Sequence, residues 1–236
     1  MIRFDVKVDP ASFSDIAINS MRSLVNEALN MAAKESIASC RIAFRNSLRM
    51  QREHDSLFGS RASFNNNPLK SAFGLTDALA ISAVDAIMDM AQSMLKITIL
   101  NASEGKRGPN QSLSSFGGLR IVLVPEDISP LYNVSGASYI SATKEGSHTI
   151  DWLHWLLERG QQVIISDYYP MYQAELSAAS RSRDALMVPS GDSGRRFAVS
   201  ATYAGRRGNN WITRAANGCL RQIQNILQQA IIRNLK

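Results

Sequence analysis

The chain has little with which to staple, metallate or embed itself. Its 236 residues include two cysteines, Cys40 and Cys219, far apart and in no closely spaced pair, so neither a disulfide framework nor a zinc-type spacing is on offer. Both read as small buried hydrophobes in a reducing compartment. No apolar run approaches the roughly 18 residues of a membrane span, which excludes a membrane partner of that kind. The first residues, Met1-Ile2-Arg3-Phe4-Asp5, carry charge where a signal peptide needs its apolar segment, so assembly in a cytoplasm is the expectation. There is no repeat, low-complexity tract or linker, and one domain spanning residues 1–236 is expected. Aromatics make up only 7% of the chain, which leaves few platforms for base stacking.

Apolar residues reach 45% against 19% charged, enough to build a core without staples. The net charge of +6 is unevenly placed. Residues 181–236 hold ten basic side chains and two acidic ones, a local +8, whereas the preceding chain has 16 basic against 18 acidic. A surface for an acidic partner is therefore expected in the last quarter.

Periodicity divides the chain. Phe4 to Asp9 alternates as a strand stopped by Pro10. From Ser14 apolar residues recur at three and four through Leu48 without Pro or Gly, predicting a helix of more than 30 residues that packs along a partner or a neighbouring subunit. Residues 54–74 predict an ordered loop or short helical turns. A helix follows from Thr76 or Asp77, either of which can cap it, to Met94, with Met88, Met90 and Met94 as core filling. Residues 97–100 and 119–124 predict strands flanking an exposed loop at 101–118. A short helix over 150–158 ends at Gly160. Val163–Ile165, Ala185–Val188 and Arg196–Thr202 predict further strands, with Pro189 to Gly194 as the hairpin turn between the last two. A helix from Asn210 closes the chain. Grouped strands rather than strict alternation predict an α+β fold, with the long N-terminal and C-terminal helices packed on a mostly antiparallel sheet.

Candidate chemistry is sparse, and binding and assembly suit the chain better than catalysis. Gly191-Asp192-Ser193-Gly194 matches the nucleophile motif of chymotrypsin-like proteases in four letters, but the helix-rich first 95 residues do not fit that fold, and nothing places a histidine near Ser193. A solvent-exposed turn is the better reading. His154, with Asp151 and Glu158 on its helix edge, lacks further ligands, so no metal site is expected; Asp85 and Asp89, one turn apart, read as a wet helix face. Gly205-Arg206-Arg207-Gly208-Asn209-Asn210 leads into the last helix without the Lys-Ser/Thr of a P-loop or the strand context of a dinucleotide site, and no cofactor is expected. Arg195, Arg196, Arg206, Arg207, Trp211 and Arg214 are the candidate interface or DNA-channel residues. For Trp211, packing onto its own sheet stands beside an interface role.

Five stretches carry a family resemblance: Asp151-Trp152-Leu153-His154-Trp155-Leu156-Leu157-Glu158-Arg159-Gly160, Ser180-Arg181-Ser182-Arg183, Ala185-Leu186-Met187-Val188, Tyr203-Ala204-Gly205 and Asn209-Asn210-Trp211-Ile212-Thr213-Arg214-Ala215. Together, over about residues 150–220, they resemble neck and tail-completion proteins of tailed bacteriophages. The insertion at 101–118 and the basic hairpin region depart from that pattern. The resemblance implies a non-enzymatic virion protein, assembled in the host cytoplasm as a closed ring of its own copies around the DNA channel. It implies portal or adaptor and tail proteins as neighbours, non-specific contact with packaged DNA, and a subunit contact near the Gly205–Asn210 loop and the C-terminal helix. A DNA-binding or DNA-processing protein using the arginine-rich end is the alternative, and a hydrolase using Ser193 a remote third.

Overall fold

A computed structural model describes residues 2–7, 15–58, 69–100, 117–143, 146–172 and 185–235. The fold is α+β, with long N- and C-terminal helices packed against mostly antiparallel sheets. The chain forms two compact units, one from Met1–Asn46, Gln92–Glu126 and Ala216–Lys236, the other from Ser47–Ala91 and Asp127–Ala215. Three of the boundaries fall inside helices rather than in linkers.

The first unit holds a three-stranded antiparallel sheet ordered β1(Ile2–Lys7), β3(Gly118–Val124), β2(Lys96–Leu100). The last strand in sequence takes the centre, and Ile121 faces Phe4 on one side and Ile97 on the other. Its alternate residues Leu119, Ile121 and Leu123 are buried, as a half-covered strand requires. Arg120 points the other way and clasps Asp5 opposite it, with Nε 2.8 Å from Oδ1 and a second bond of 3.2 Å. Helix α1 (Asp15–Arg49) is unbroken over 35 residues. It buries Val25, Ala28, Leu29, Ala32, Ser36, Cys40, Ala43 and Phe44, a stripe at helical spacing. Ser36 avoids a buried orphan by donating to the Ala32 carbonyl at 2.5 Å. Helix α6 (Trp211–Asn234) runs antiparallel to α1 in this unit: Cys219 neighbours Cys40, and Asn234 at the far end donates to Glu35 at 3.2 Å.

The second unit contains α2 (Arg52–Phe58), α3 (Leu69–Ala72), most of α4 (Asp77–Ser93) and three two-stranded antiparallel sheets. Thr76 caps α4 through its hydroxyl, which accepts from the Leu79 amide at 3.3 Å. The sheets pair β4(Tyr139–Thr143) with β5(Gly146–Ile150), β6(Val163–Ile165) with β9(Phe197–Ala198), and β7(Tyr168–Tyr172) with β8(Ala185–Pro189). Helix α5 (Trp152–Glu158) lies between them in sequence and buries Trp152, Leu153, Leu156 and Leu157. Phe73 gathers the aromatics, 5.7 Å from Trp152 and edge-on to Phe197 at 6.3 Å. The Trp152 indole donates to the Gly136 carbonyl at 2.7 Å, and a side chain at Gly136 would meet Ala83 at 2.7 Å.

Three expectations change. Pro189 to Gly194 is not a hairpin turn, because β8 pairs with β7 and β9 with β6. The segment instead forms a short 3-10 turn at Gly191–Ser193, and the Ser190 amide donates to the Asp167 carbonyl at 2.7 Å. The strand expected over 196–202 shortens to two residues, since Tyr203 and Ala204 both return their amides to the Ser200 carbonyl in a turn. Residues 54–74 do contain short helices, α2 and α3, while 59–68 lie outside the described residues, as do 101–116 of the expected loop. Among the methionines of α4, Met88 is core and Met90 is half-buried.

Both thiols are free and buried. Burial pushes Cys40 from 9.0 up to about 12, with Cys219 adding to the rise, and pushes Cys219 up to about 11. The folded thiols stay neutral where unfolded ones ionise. Their contribution to stability is therefore fully present below pH 9.0 and falls away as pH climbs towards the folded values of about 11 and 12. Native protein at about pH 8 should release almost no colour with a thiol-exchange reagent, and two equivalents after unfolding in guanidinium. Rapid reaction of either thiol in the native state would contradict the packing of α1 on α6.

Candidate functional site

The six candidate residues divide among three environments, all within the second unit. The first is the entry to α6. Asn210 and Thr213 cap the helix reciprocally: the Thr213 amide donates to Asn210 Oδ1 at 3.0 Å, and the Asn210 amide to Thr213 Oγ1 at 2.8 Å. Just upstream, Gly205 is pressed against the end of α5. Its amide donates to the Leu156 carbonyl at 3.0 Å and its carbonyl accepts from Gly160 at 2.8 Å. A Cβ there would stand 2.5 Å from the Leu156 oxygen and 2.7 Å from Asn210 Cβ, so only glycine fits. The loop between is a tight turn in which Arg206 and Asn209 exchange backbone bonds of 3.0 and 2.8 Å.

Trp211 is wholly buried. Its indole N–H donates 3.0 Å to the Leu48 carbonyl, which also accepts from the Gln51 amide at 3.3 Å, while Ser47 Oγ donates 2.6 Å to the Ala215 carbonyl. The tryptophan is thus packed within its own chain, at the end of α1. Arg214 is likewise committed inside the chain. It pairs closely with Glu53, whose side chain is fully buried, and donates 3.0 Å to Asn209 Oδ1. Glu53 Oε2 and Arg214 Nε have no hydrogen-bond partner among the described residues.

Arg206 and Arg207 extend from the turn and are exposed. Arg207 is close enough to act on Asp127 and Tyr132. The Ser129 amide, donating at 2.9 Å, holds the Asp127 carboxyl below its usual range, and Arg207 adds to this. Burial, with the bond that Tyr132 donates to Glu158 Oε1 at 2.8 Å, holds the Tyr132 phenol above its usual range. His154 stands edge-on to Tyr132 and 3.8 Å from Glu158, an i,i+4 pair on α5. The fold thus turns this histidine towards a tyrosine and a carboxylate that already bond each other.

Arg195 and Arg196 occupy the third environment. They border a cavity of about 480 Å³ that is also lined by Leu69, Phe73, Tyr169, Pro170, Phe197 and Val199. The Arg195 guanidinium lies 5.1 Å above the Tyr169 ring centre. Ser193, nearby in sequence, spends its hydroxyl on the Ser190 carbonyl and accepts the Arg195 amide at 3.4 Å. Neither His54 nor His154 is bonded to it: His54 contacts Asp55 at 3.4 Å, and His154 faces Glu158. Among the described residues no three His, Cys, Asp or Glu side chains form a metal-binding group, and no helix is long and apolar enough to cross a membrane.

Sequence reading missed Glu53, Tyr132 and Tyr169 as participants. Glu53 lies in Arg52-Glu53-His54-Asp55, which looks like solvated helix, and only the fold sends it inward. The Asn210-x-x-Thr213 spacing was a readable cap signal.

Urea denaturation can rank these roles. Trp211→Ala removes a large core side chain and should cost about 3 to 5 kcal/mol. Arg214→Ala strands the buried Glu53 carboxylate and should cost about 3 kcal/mol, towards the low end for a broken buried pair because the guanidinium is 25% exposed. The Arg206→Ala/Arg207→Ala variant should stay within about 1 kcal/mol of wild type. A Trp211→Ala protein as stable as wild type would contradict a core role. No protein-family model, no curated protein and no solved structure matches the chain.

Proposed function

We propose that this protein is a structural subunit that closes into a ring at the head-to-tail junction of a tailed phage, around the DNA channel and between portal or adaptor and tail proteins. The observation that carries the self-association is a set of exposed apolar residues aligned along α1. Leu24, Met31 and Ile42 are 66%, 46% and 60% exposed, beside the stripe of the same helix that is buried, and they share their side with the exposed Glu35. They are spaced by two and then three helical turns, so they share one face and extend over ~27 Å. Exposed apolar residues in line along a helix whose neighbouring stripe is already covered favour a partner lying along it. A ring needs a heterologous interface, in which these residues meet a different surface of the next copy.

The family-like segments support the same reading as architecture rather than chemistry. The 151–160 and 205–215 stretches are the ones that build α5, clamp Gly205 against it and cap α6. Their side chains serve the fold. DNA binding through Arg206 and Arg207 is the second reading, favoured by their exposure on the turn into α6. In a lumen they would meet phosphates without reading sequence.

Light scattering on the purified wild-type chain should show a discrete oligomer, seen as closed rings by negative stain. Leu24→Asp/Ile42→Asp should give a folded monomer with unchanged far-UV circular dichroism. A wild-type chain that stays monomeric at all concentrations and is absent from purified particles would overturn the proposal. Tight duplex binding by the monomer, falling steeply with salt and lost in Arg206→Ala/Arg207→Ala, would favour the second reading.

A further inference from the structure

We infer that the cavity beneath Arg195 and Arg196 is a socket for an acidic segment of a partner protein, one that inserts a large apolar side chain and lays a flanking carboxylate on the guanidinium rim. The cavity opens to the surface and measures about 480 Å³, within the range of sites that hold ligands. Its floor is apolar: Leu69, Phe73 and Phe197 are each less than 5% exposed. Its rim is positive. Arg195 and Arg196 are exposed, and among the described residues no carboxylate lines the cavity and neither arginine forms an ion pair. The Tyr169 ring supports the Arg195 guanidinium from below, which limits the freedom it loses on binding an anion.

This division of polarity selects the occupant. An apolar anchor in a desolvated pocket beside an arginine is the arrangement that dominates protein interface energetics. A carboxylate on a guanidinium gains two parallel charge-assisted bonds. Nucleic acid fits less well. It asks for a basic track along successive phosphates and exposed rings for stacking, whereas here two adjacent arginines stand over rings that lie below the rim. A small polar metabolite would need several converging hydrogen-bonding groups, and the lining offers few beyond the rim. The socket is independent of the exposed apolar residues of α1 and would bind a protein other than a second copy.

A displayed random-peptide library panned on the full-length wild-type chain, with counter-selection on Arg195→Ala/Arg196→Ala, tests this. The expected consensus is a Phe, Trp, Leu or Met flanked by Asp or Glu. A synthetic consensus peptide should lose about tenfold or more in affinity on Arg195→Ala/Arg196→Ala, and weaken as salt rises. Ser200→Trp, placed on the cavity wall to fill it while leaving both arginines intact, should also abolish binding. Enrichment of nothing, enrichment of peptides without acidic residues, undiminished binding to the arginine variant, or tighter binding of a short thymidine oligomer than of the consensus peptide would each overturn the proposal.

Discussion

Trp211 occupies the first position of α6, and through it the end of one helix closes the end of another. Near the end of α1 the Leu48 carbonyl accepts from both the Gln51 amide at 3.3 Å and the indole N–H at 3.0 Å, and the ring fills the interior beside it. The tryptophan can take this position only because α6 begins where it does. Asn210 and Thr213 set that start by satisfying each other's backbone amides, and Gly205 sets the approach by letting its backbone lie against α5 with no side chain between. Shifting the start by one residue would rotate the indole by about 100° and take it away from the Leu48 carbonyl. The aromatic cluster around Phe73, the Glu53–Arg214 pair and the turn that presents Arg206 and Arg207 all belong to the same unit as this junction.

Charge in the chain does not translate directly into charge on its surface. The last quarter holds most of the excess arginine, but those side chains have different fates. Arg214 neutralises a carboxylate that burial would otherwise make very costly, Arg207 faces Asp127 and Tyr132, and Arg195 rests on an aromatic ring. A count of basic residues treats these alike. Arg206 and Arg207 stay exposed on the turn into α6, and Arg195 and Arg196 at the border of the cavity.

Much of the architecture was legible. Helices α1, α4 and α6 follow from apolar spacing, because a 3.6-residue period over many turns has few competing explanations. The strands of the first sheet follow from alternation. The small sheets of the second unit were harder. Pro170 is an uncommon residue within a strand such as β7, and in a two-stranded sheet its missing N–H need not be used. The residues of β4 and β5 are too polar to announce a buried face, and Ile140 is in fact 69% exposed. Pro189 to Gly194 has the composition of a hairpin, but composition describes how a chain bends and not which strand it returns to.

The amino-acid order alone sets the α+β class, the length and amphipathicity of the long helices, the cap at Asn210 and the burial of both cysteines, since each depends on neighbours within a few turns. Long-range pairing assigned everything else. That β3 lies between β1 and β2, that Glu53 turns inward to meet Arg214, that Trp211 is core, and that two adjacent arginines border a cavity all depend on segments separated by tens to more than a hundred residues. Such contacts are selected by whichever arrangement leaves the fewest polar groups buried without partners, a property of the whole packed chain that no local window contains.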